Sequence, residues 1–224
     1  ITNNNDAIAI SGASGNVKFD VHDNANISLQ DFVNISILKA AFSTGGVLEG
    51  RIRNNTITTE NGHTADGISV FNAGGGPLKI AITSNTINYA GTQRAILMQG
   101  GQDGAADLQG TITGNTIDIQ LDGTGNAVSG ILAQIIVATP SGNGTTMCAD
   151  IGGAGALKNT FLHSLGGSIA GGDIRMRQRN GGPVKLPGYG GAGGDNAAVV
   201  TYLTGRNTTV SAPTATNDDL LFSG

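Results

Sequence analysis

The chain has no tryptophan, a single cysteine, five prolines and 4% aromatic residues, and only 12% of its 224 residues are charged. Each scarcity excludes something. Cys148 has no partner for an internal disulfide, so no disulfide framework supports the fold. A catalytic thiol is not supported either, because no histidine is arranged to activate it. His22, His63 and His163 fall at unrelated positions, without the spacing of a zinc site. A net charge of -4 supplies no basic footprint for nucleic acid or for an anionic membrane surface. No apolar run approaches the roughly 18 residues of a membrane span, so membrane insertion of this segment is not expected. Tyr89, Tyr189 and Tyr202 are scattered, which leaves a sugar-binding groove without the usual ring platforms. An initiating methionine and a signal peptide are both missing, and the chain reads as a processed or mature fragment of something longer.

What is abundant is glycine, at 37 residues, without the strict Gly-X-Y period of collagen. Asn, Thr and Ser supply most of the remaining polarity, as is usual in turn-rich β proteins. One phrase recurs at intervals of 30 residues: Leu48 to Ile57 (LEGRIRNNTI), Leu78 to Ile87 (LKIAITSNTI) and Leu108 to Ile117 (LQGTITGNTI). A relative stands upstream at Val17 to Asn24, and a looser one ends in Asn159-Thr160-Phe161. A fixed interval of this length means one structural unit stacked on itself.

Within each copy the apolar residues alternate, as in Leu48, Gly50 and Ile52, and period two means a strand with one buried face. After a turn, Asn-Thr-Ile starts a second strand. A third follows at Gly67 to Val70, Ala95 to Met98 and Gly130 to Ala133, with counterparts at Ala7 to Ile10, Ile35 to Ile37 and Asp173 to Met176. Long helical periods are absent before residue 195. The fold class is therefore all-β, a parallel β-helix with about three short strands per coil of ~30 residues. Its strands pair with those of adjacent coils at about 4.8 Å. The outward rows place Lys18, Glu49 and Lys79 on successive rungs beside Asp20 and Arg51, and the expected ion pairs are Lys18–Glu49–Lys79 and Asp20–Arg51. Asn55, Asn85, Asn115 and Asn159 form an inward amide ladder at bends where asparagine tolerates left-handed backbone.

The L-x-G-x-I-x-x-N-T-I phrase and its spacing resemble the right-handed parallel β-helix repeats of pectate-lyase-like enzymes and of large bacterial surface or secreted proteins. The resemblance covers residues 1 to 180 or so and implies the fold far more specifically than any activity. The tail, Leu186-Pro187-Gly188-Tyr189 followed by Asp195 to Leu203, is similar to tail segments of very large β-helix surface proteins of Gram-negative bacteria.

Composition changes at Gly181-Gly182-Pro183, giving a β-helix over 1–182 and a Gly/Pro-rich loop with a C-terminal cap over 183–224. Asp195 is the expected N-cap of a short helix through Leu203, with Ala197, Val200 and Tyr202–Leu203 as apolar contacts, Gly205 as a stop and a final strand near Leu220 to Phe222. Gly190 to Asp195 (GGAGGD) also matches the start of a calcium-binding nonapeptide, which makes Asp195 a weak calcium candidate and no other cofactor is implied. Asp66, near His63, reads as an exposed turn pair.

The leading functional expectation is a non-enzymatic structural or adhesive module of an extracellular or cell-surface bacterial protein. Its partners are expected to be surface glycans and, through an uncovered N-terminal end, further copies that form an oligomer or filament. The runner-up is a lyase or hydrolase of an acidic polysaccharide. Its best cluster is Asp173, Arg175, Arg177 and Arg179, where alternation places the three arginines on one side of a strand.

Overall fold

A computed structural model describes residues 6–12, 15–29, 32–40, 45–60, 64–101, 104–120, 126–127, 129–136, 144–166, 168–179, 182–217 and 222–224. The chain winds through three parallel sheets in turn, as a right-handed parallel β-solenoid with a short C-terminal helix. The first sheet stacks Ile8–Gly12, Ile35–Lys39, Ile68–Asn72, Arg94–Gly100, Ser129–Ile135, Ile174–Gln178 and Thr214–Asn217. The second stacks Val17–His22, Leu48–Arg53, Gly76–Thr83, Ala106–Thr113, Thr146–Ile151, Val184–Lys185 and Phe222–Ser223. The third stacks Ile27–Leu29, Thr56–Thr59, Thr86–Tyr89, Thr116–Ile119 and Thr160–Leu162. The expected three strands per coil are present, and Leu48, Leu78 and Leu108 are partners across adjacent rungs.

Alternation decides which side chains fill the interior. Ile35, Ile68, Ile96, Ile131 and Ile174 form one column, and Ile52, Ile82, Ile112 and Ile151 another, every one at 0% exposure. A third column reads Phe19, Gly50, Ile80, Gly110 and Ala149. The Phe19 ring and the Met98 side chain reach over Gly50 and Gly110, so these positions of the column are kept small. A Cβ on Gly50 would overlap the Phe19 ring, and one on Gly110 would overlap Met98 Sδ.

The outward charges follow the expected register but pair differently. Lys18 reaches Glu49 at 3.3 Å. Asp20 stands opposite Arg51, yet its ion pair runs to the diagonal Arg53, at 3.0 Å from Nη2 and 3.2 Å from Nε. The diagonal lets the flat guanidinium present two donors to one carboxylate, which the directly opposite residue does less well.

Beyond residue 183, Val184–Lys185, Thr214–Asn217 and Phe222–Ser223 continue the first two sheets, and helix α1 (Asn196–Arg206) is inserted between them. Asp195 caps the helix by accepting a bond from Ala198 N at 2.9 Å. Gly205 does not stop it: the helix runs on to Arg206, whose side chain donates to Gly152 O at 2.7 Å and stacks on the Tyr202 ring. Its buried residues are Val199 and Leu203, while Ala197 is exposed and Val200 and Tyr202 are half-buried. The spacing of four from 199 to 203 to 207 brings Asn207 down at the position of the asparagine ladder, and that anchor sets the helical phase. Leu220 lies outside the described residues.

The small positions in the third column predict a compensating pair. Gly110→Ile should lower the urea-unfolding free energy by about 1–3 kcal/mol through overpacking, and adding Met98→Ala should restore most of it. Equal losses for the single and double variants would contradict this packing.

Candidate functional site

The asparagine ladder is built from two kinds of bond repeated on each rung. Asn55 donates its backbone N–H and its Nδ2–H to Asn85 Oδ1, both at 3.0 Å, and Asn85 does the same to Asn115 Oδ1, both at 3.0 Å. Asn115 continues to Asn159 Oδ1 at 3.1 and 2.9 Å, and Asn159 Nδ2 to Asn207 Oδ1 at 2.9 Å. The second Nδ2 hydrogen of each side chain turns back to the preceding coil: Asn55 to Val21 O, Asn85 to Ile52 O, Asn115 to Ile82 O and Asn159 to Ile112 O, at 2.8–2.9 Å. Asn24, the last residue of the upstream relative of the phrase, begins the row, and Asn207, which no copy of the phrase contains, ends it. The left-handed backbone falls one residue before the asparagine, at Asp23 (φ 57°), Asn54 (φ 55°), Ser84 (φ 56°) and Gly114 (φ 67°). The asparagine itself must aim both its N–H and its side chain along the stack, so the turn is completed before it.

On the outer face of the second sheet runs a shallow groove of about 780 Å³, lined by successive rungs. Lys18, Asp20, Glu49, Arg51, Lys79, Gln109, Thr111, Cys148 and Asp150 face it. Cys148 is half-buried and its thiol is pushed up by burial and by nearby Asp150, which keeps it protonated. The carboxylates here face cations: Glu49 meets Lys18, Asp20 meets Arg53, and Asp150 meets Arg206 from the end of α1. A surface with both signs on neighbouring rungs suits polar and ionic contact with an extended chain lying along the stack.

Asp173 does not join the arginine stripe. It is fully buried, accepts from Val210 N at 2.6 Å and Ser211 N at 2.9 Å, and meets His163 Nε2 at 2.8 Å. It precedes Ile174 as Asn34 precedes Ile35 and Ala95 precedes Ile96, at a corner where the backbone turns inward. Asn34 is buried there too, donating to Ile27 O and Thr58 O. A polar residue at a position held elsewhere by Gly, Ala or the equally buried Asn34 was the available signal for this buried role. Arg175 and Arg177 stand on the outer side of their strand, with Arg177 reaching Gln134 at 3.5 Å, and Arg179 is exposed.

Asp66 is also not an exposed turn residue. It is 5% exposed and bound by Arg94, at 2.6 Å from Nε, and burial pushes its carboxyl up despite that cation. His63 lies outside the described residues. Tyr89 is buried beside this pair; its hydroxyl donates to Ala65 O and accepts from Gln93 N, both at 2.8 Å. Lys39 is a further interior cation, donating to Gly45 O and Gly46 O at 3.0 Å at the corner between the first two sheets. Among the described residues, no group of three or more His, Cys, Asp or Glu is placed to hold a metal ion, and Asp195 has its carboxylate on the helix N-terminus. No family model, curated protein or solved structure matches this chain.

Two consequences are measurable. Asn85→Ala orphans two buried donors of Asn55 and the Ile52 carbonyl, and at roughly 1–3 kcal/mol per group should cost about 3 kcal/mol or more in urea unfolding. Asn24→Ala, where water replaces the lost partner, should cost less than about 1 kcal/mol; similar losses at both sites would contradict the ladder. Burial, helped by the Asp66 carboxylate, outweighs the Gln93 bond and the Arg94 cation and pushes the Tyr89 phenol well above its ordinary 10.0. The unfolded chain then releases this proton first, so stability is present below pH 10 and falls as pH rises further, by up to ~1.4 kcal/mol per unit. Tyr89→Phe should flatten that alkaline slope relative to the unaltered chain, and an unchanged slope would exclude Tyr89 as its source.

Proposed function

We propose that this chain is a non-enzymatic structural and adhesive module, a stretch of solenoid from an extracellular or cell-surface bacterial protein that holds surface glycans along its second-sheet groove. The observation that carries the reading is the pairing of charge in that groove. Lys18–Glu49, Asp20–Arg53 and Asp150–Arg206 bind one another across neighbouring strands and elements. Such pairs brace the register and leave the face polar, which suits many weak contacts with a polymer better than one concentrated proton transfer. The repeated Gln109, Thr111 and Lys79 positions add hydrogen-bonding groups on the same face. The low overall charge, the single cysteine and the Asn/Thr/Gly-rich turns support an exposed scaffold.

The competing reading is a lyase or hydrolase of an acidic polysaccharide. With Asp173 turned into the core, that reading has to draw on the groove, where Asp150, Arg51 and Lys79 are the available groups. Polygalacturonate and alginate are suitable probes for both readings. Retention of the chain on immobilised polymer should weaken with salt and fall roughly two- to fivefold for each of Arg51→Ala and Lys79→Ala, the ~0.5–1 kcal/mol of an exposed ionic contact. Release of unsaturated ends or new reducing ends, abolished by Asp150→Asn, would overturn the proposal in favour of the enzyme.

A further inference from the structure

The three carboxylates that line the groove are not all neutralised from within it. Lys18, which pairs with Glu49, stands in the groove itself. Arg53 reaches Asp20 from the end of strand Leu48–Arg53, and Arg206 reaches Asp150 from the last residue of α1. Neither of these two cations lines the groove. Arg51 and Lys79 do line it, on adjacent rungs, and neither forms an ion pair among the described residues. The groove thus has its carboxylates engaged and two cations left over, and that balance depends on groups outside it.

The pairs differ in how firmly they are held. The Lys18 and Glu49 side chains are 80% and 48% exposed, so water and salt screen that contact. Arg206 and Asp150 are 27% and 34% exposed. Arg206 Nη2 also donates to Gly152 O at 2.7 Å and Nε to Ile151 O at 3.3 Å, which clamps the guanidinium on the strand end that carries Asp150. The guanidinium lies over the Tyr202 ring, 5.1 Å from its centroid. The Tyr202 hydroxyl in turn donates at 2.7 Å to the carbonyl of Pro187, a groove residue. The next residue, Asn207, ends the asparagine ladder, so one turn of helix ties the interior row to a charge on the outer face. Asp150 is separated from Lys79 by the Gln109–Thr111 rung, about 10 Å along the stack. Charges still act over about 10 Å at 0.1 M salt, so an unpaired Asp150 would be felt there.

We propose that Arg206 sets the charge selectivity of the groove. By keeping Asp150 neutralised it leaves Arg51 and Lys79 uncompensated, and the groove takes a polymer carrying anionic groups in preference to a neutral or cationic one. Arg206 is a positioning residue, because it acts through Asp150 and does not face the polymer. The inference rests on the reading of the groove as a glycan site and deepens it.

Cys148, the single cysteine, faces the groove two residues before Asp150 and reports the local potential without any polymer. Lys185 on the next rung and Asp107 also act on it, and both stay in place in every variant. The Cys148 thiolate displaces iodide from anionic iodoacetate or from neutral iodoacetamide, its proton having gone to water. The thiolate fraction cancels in the ratio of the two rates, which leaves the attraction or repulsion of the anion. Arg206→Gln should lower the iodoacetate-to-iodoacetamide ratio about two- to fivefold at low salt, and adding Asp150→Asn should restore it. Arg206→Lys should stay close to the unaltered chain, and Asp150→Asn alone, which frees the Arg206 charge, should raise the ratio. Retention on immobilised alginate, but not on dextran, should follow the same order. An unchanged ratio in Arg206→Gln, or a loss that Asp150→Asn does not restore, would overturn the role of Arg206 and leave the glycan reading standing. Absence of retention by the unaltered chain would overturn the glycan reading itself, and the selectivity with it.

Discussion

The whole molecule depends on the register between one coil and the next. Parallel strands slipped by a single residue would turn every inward isoleucine to solvent. Two interactions of different kinds prevent the slip. Hydrophobic burial rewards any register of correct parity, because Ile52 stacks on Ile82 as well as it would on Leu78. The amide ladder is more selective: the donors of Asn55 meet Asn85 Oδ1 only when the bends superimpose. Buried at 2%, 1% and 0% exposure, Asn55, Asn85 and Asn115 have no water to replace a lost partner. Burial drives the stack, and the ladder sets its alignment.

Much of this was legible because repetition multiplies weak signals. A single Leu-x-Gly-x-Ile alternation is ambiguous, whereas three copies at one interval select the strand pairing that the structure contains. The features that were missed share a different physical cause: they depend on contacts between positions that do not repeat. Asp173 looks like the first residue of an arginine stripe until His163 and the 210–211 backbone are brought to it. Asp20 chooses Arg53 over the facing Arg51 for reasons of guanidinium geometry. The phase of α1 is set by where Asn207 must land, and local propensity alone puts the apolar face elsewhere. The left-handed residue was misplaced by one position for a related reason: turn chemistry alone does not reveal that the asparagine backbone is itself a rung of the ladder.

The same division explains why the fold is clearer than the function. The buried polar groups, Asn34, Lys39, Asp66 and Asp173, are engaged in holding corners and loops. On the outer face, Glu49, Asp20 and Asp150 are engaged by Lys18, Arg53 and Arg206. What is left for a partner is a polar groove along the second sheet, an extended surface for weak contact and a property of the stack as a whole.

The central claim is that the amide ladder sets the alignment of one coil on the next. Native-state hydrogen exchange of the Asn85→Leu variant, read by mass spectrometry, tests it most directly, because each coil contacts only its neighbours. Protection should fall in the 48–59 and 78–89 segments and hold in the 146–162 segment. A loss no larger than that caused by Ile82→Val, or one spread evenly along the chain, would contradict the account.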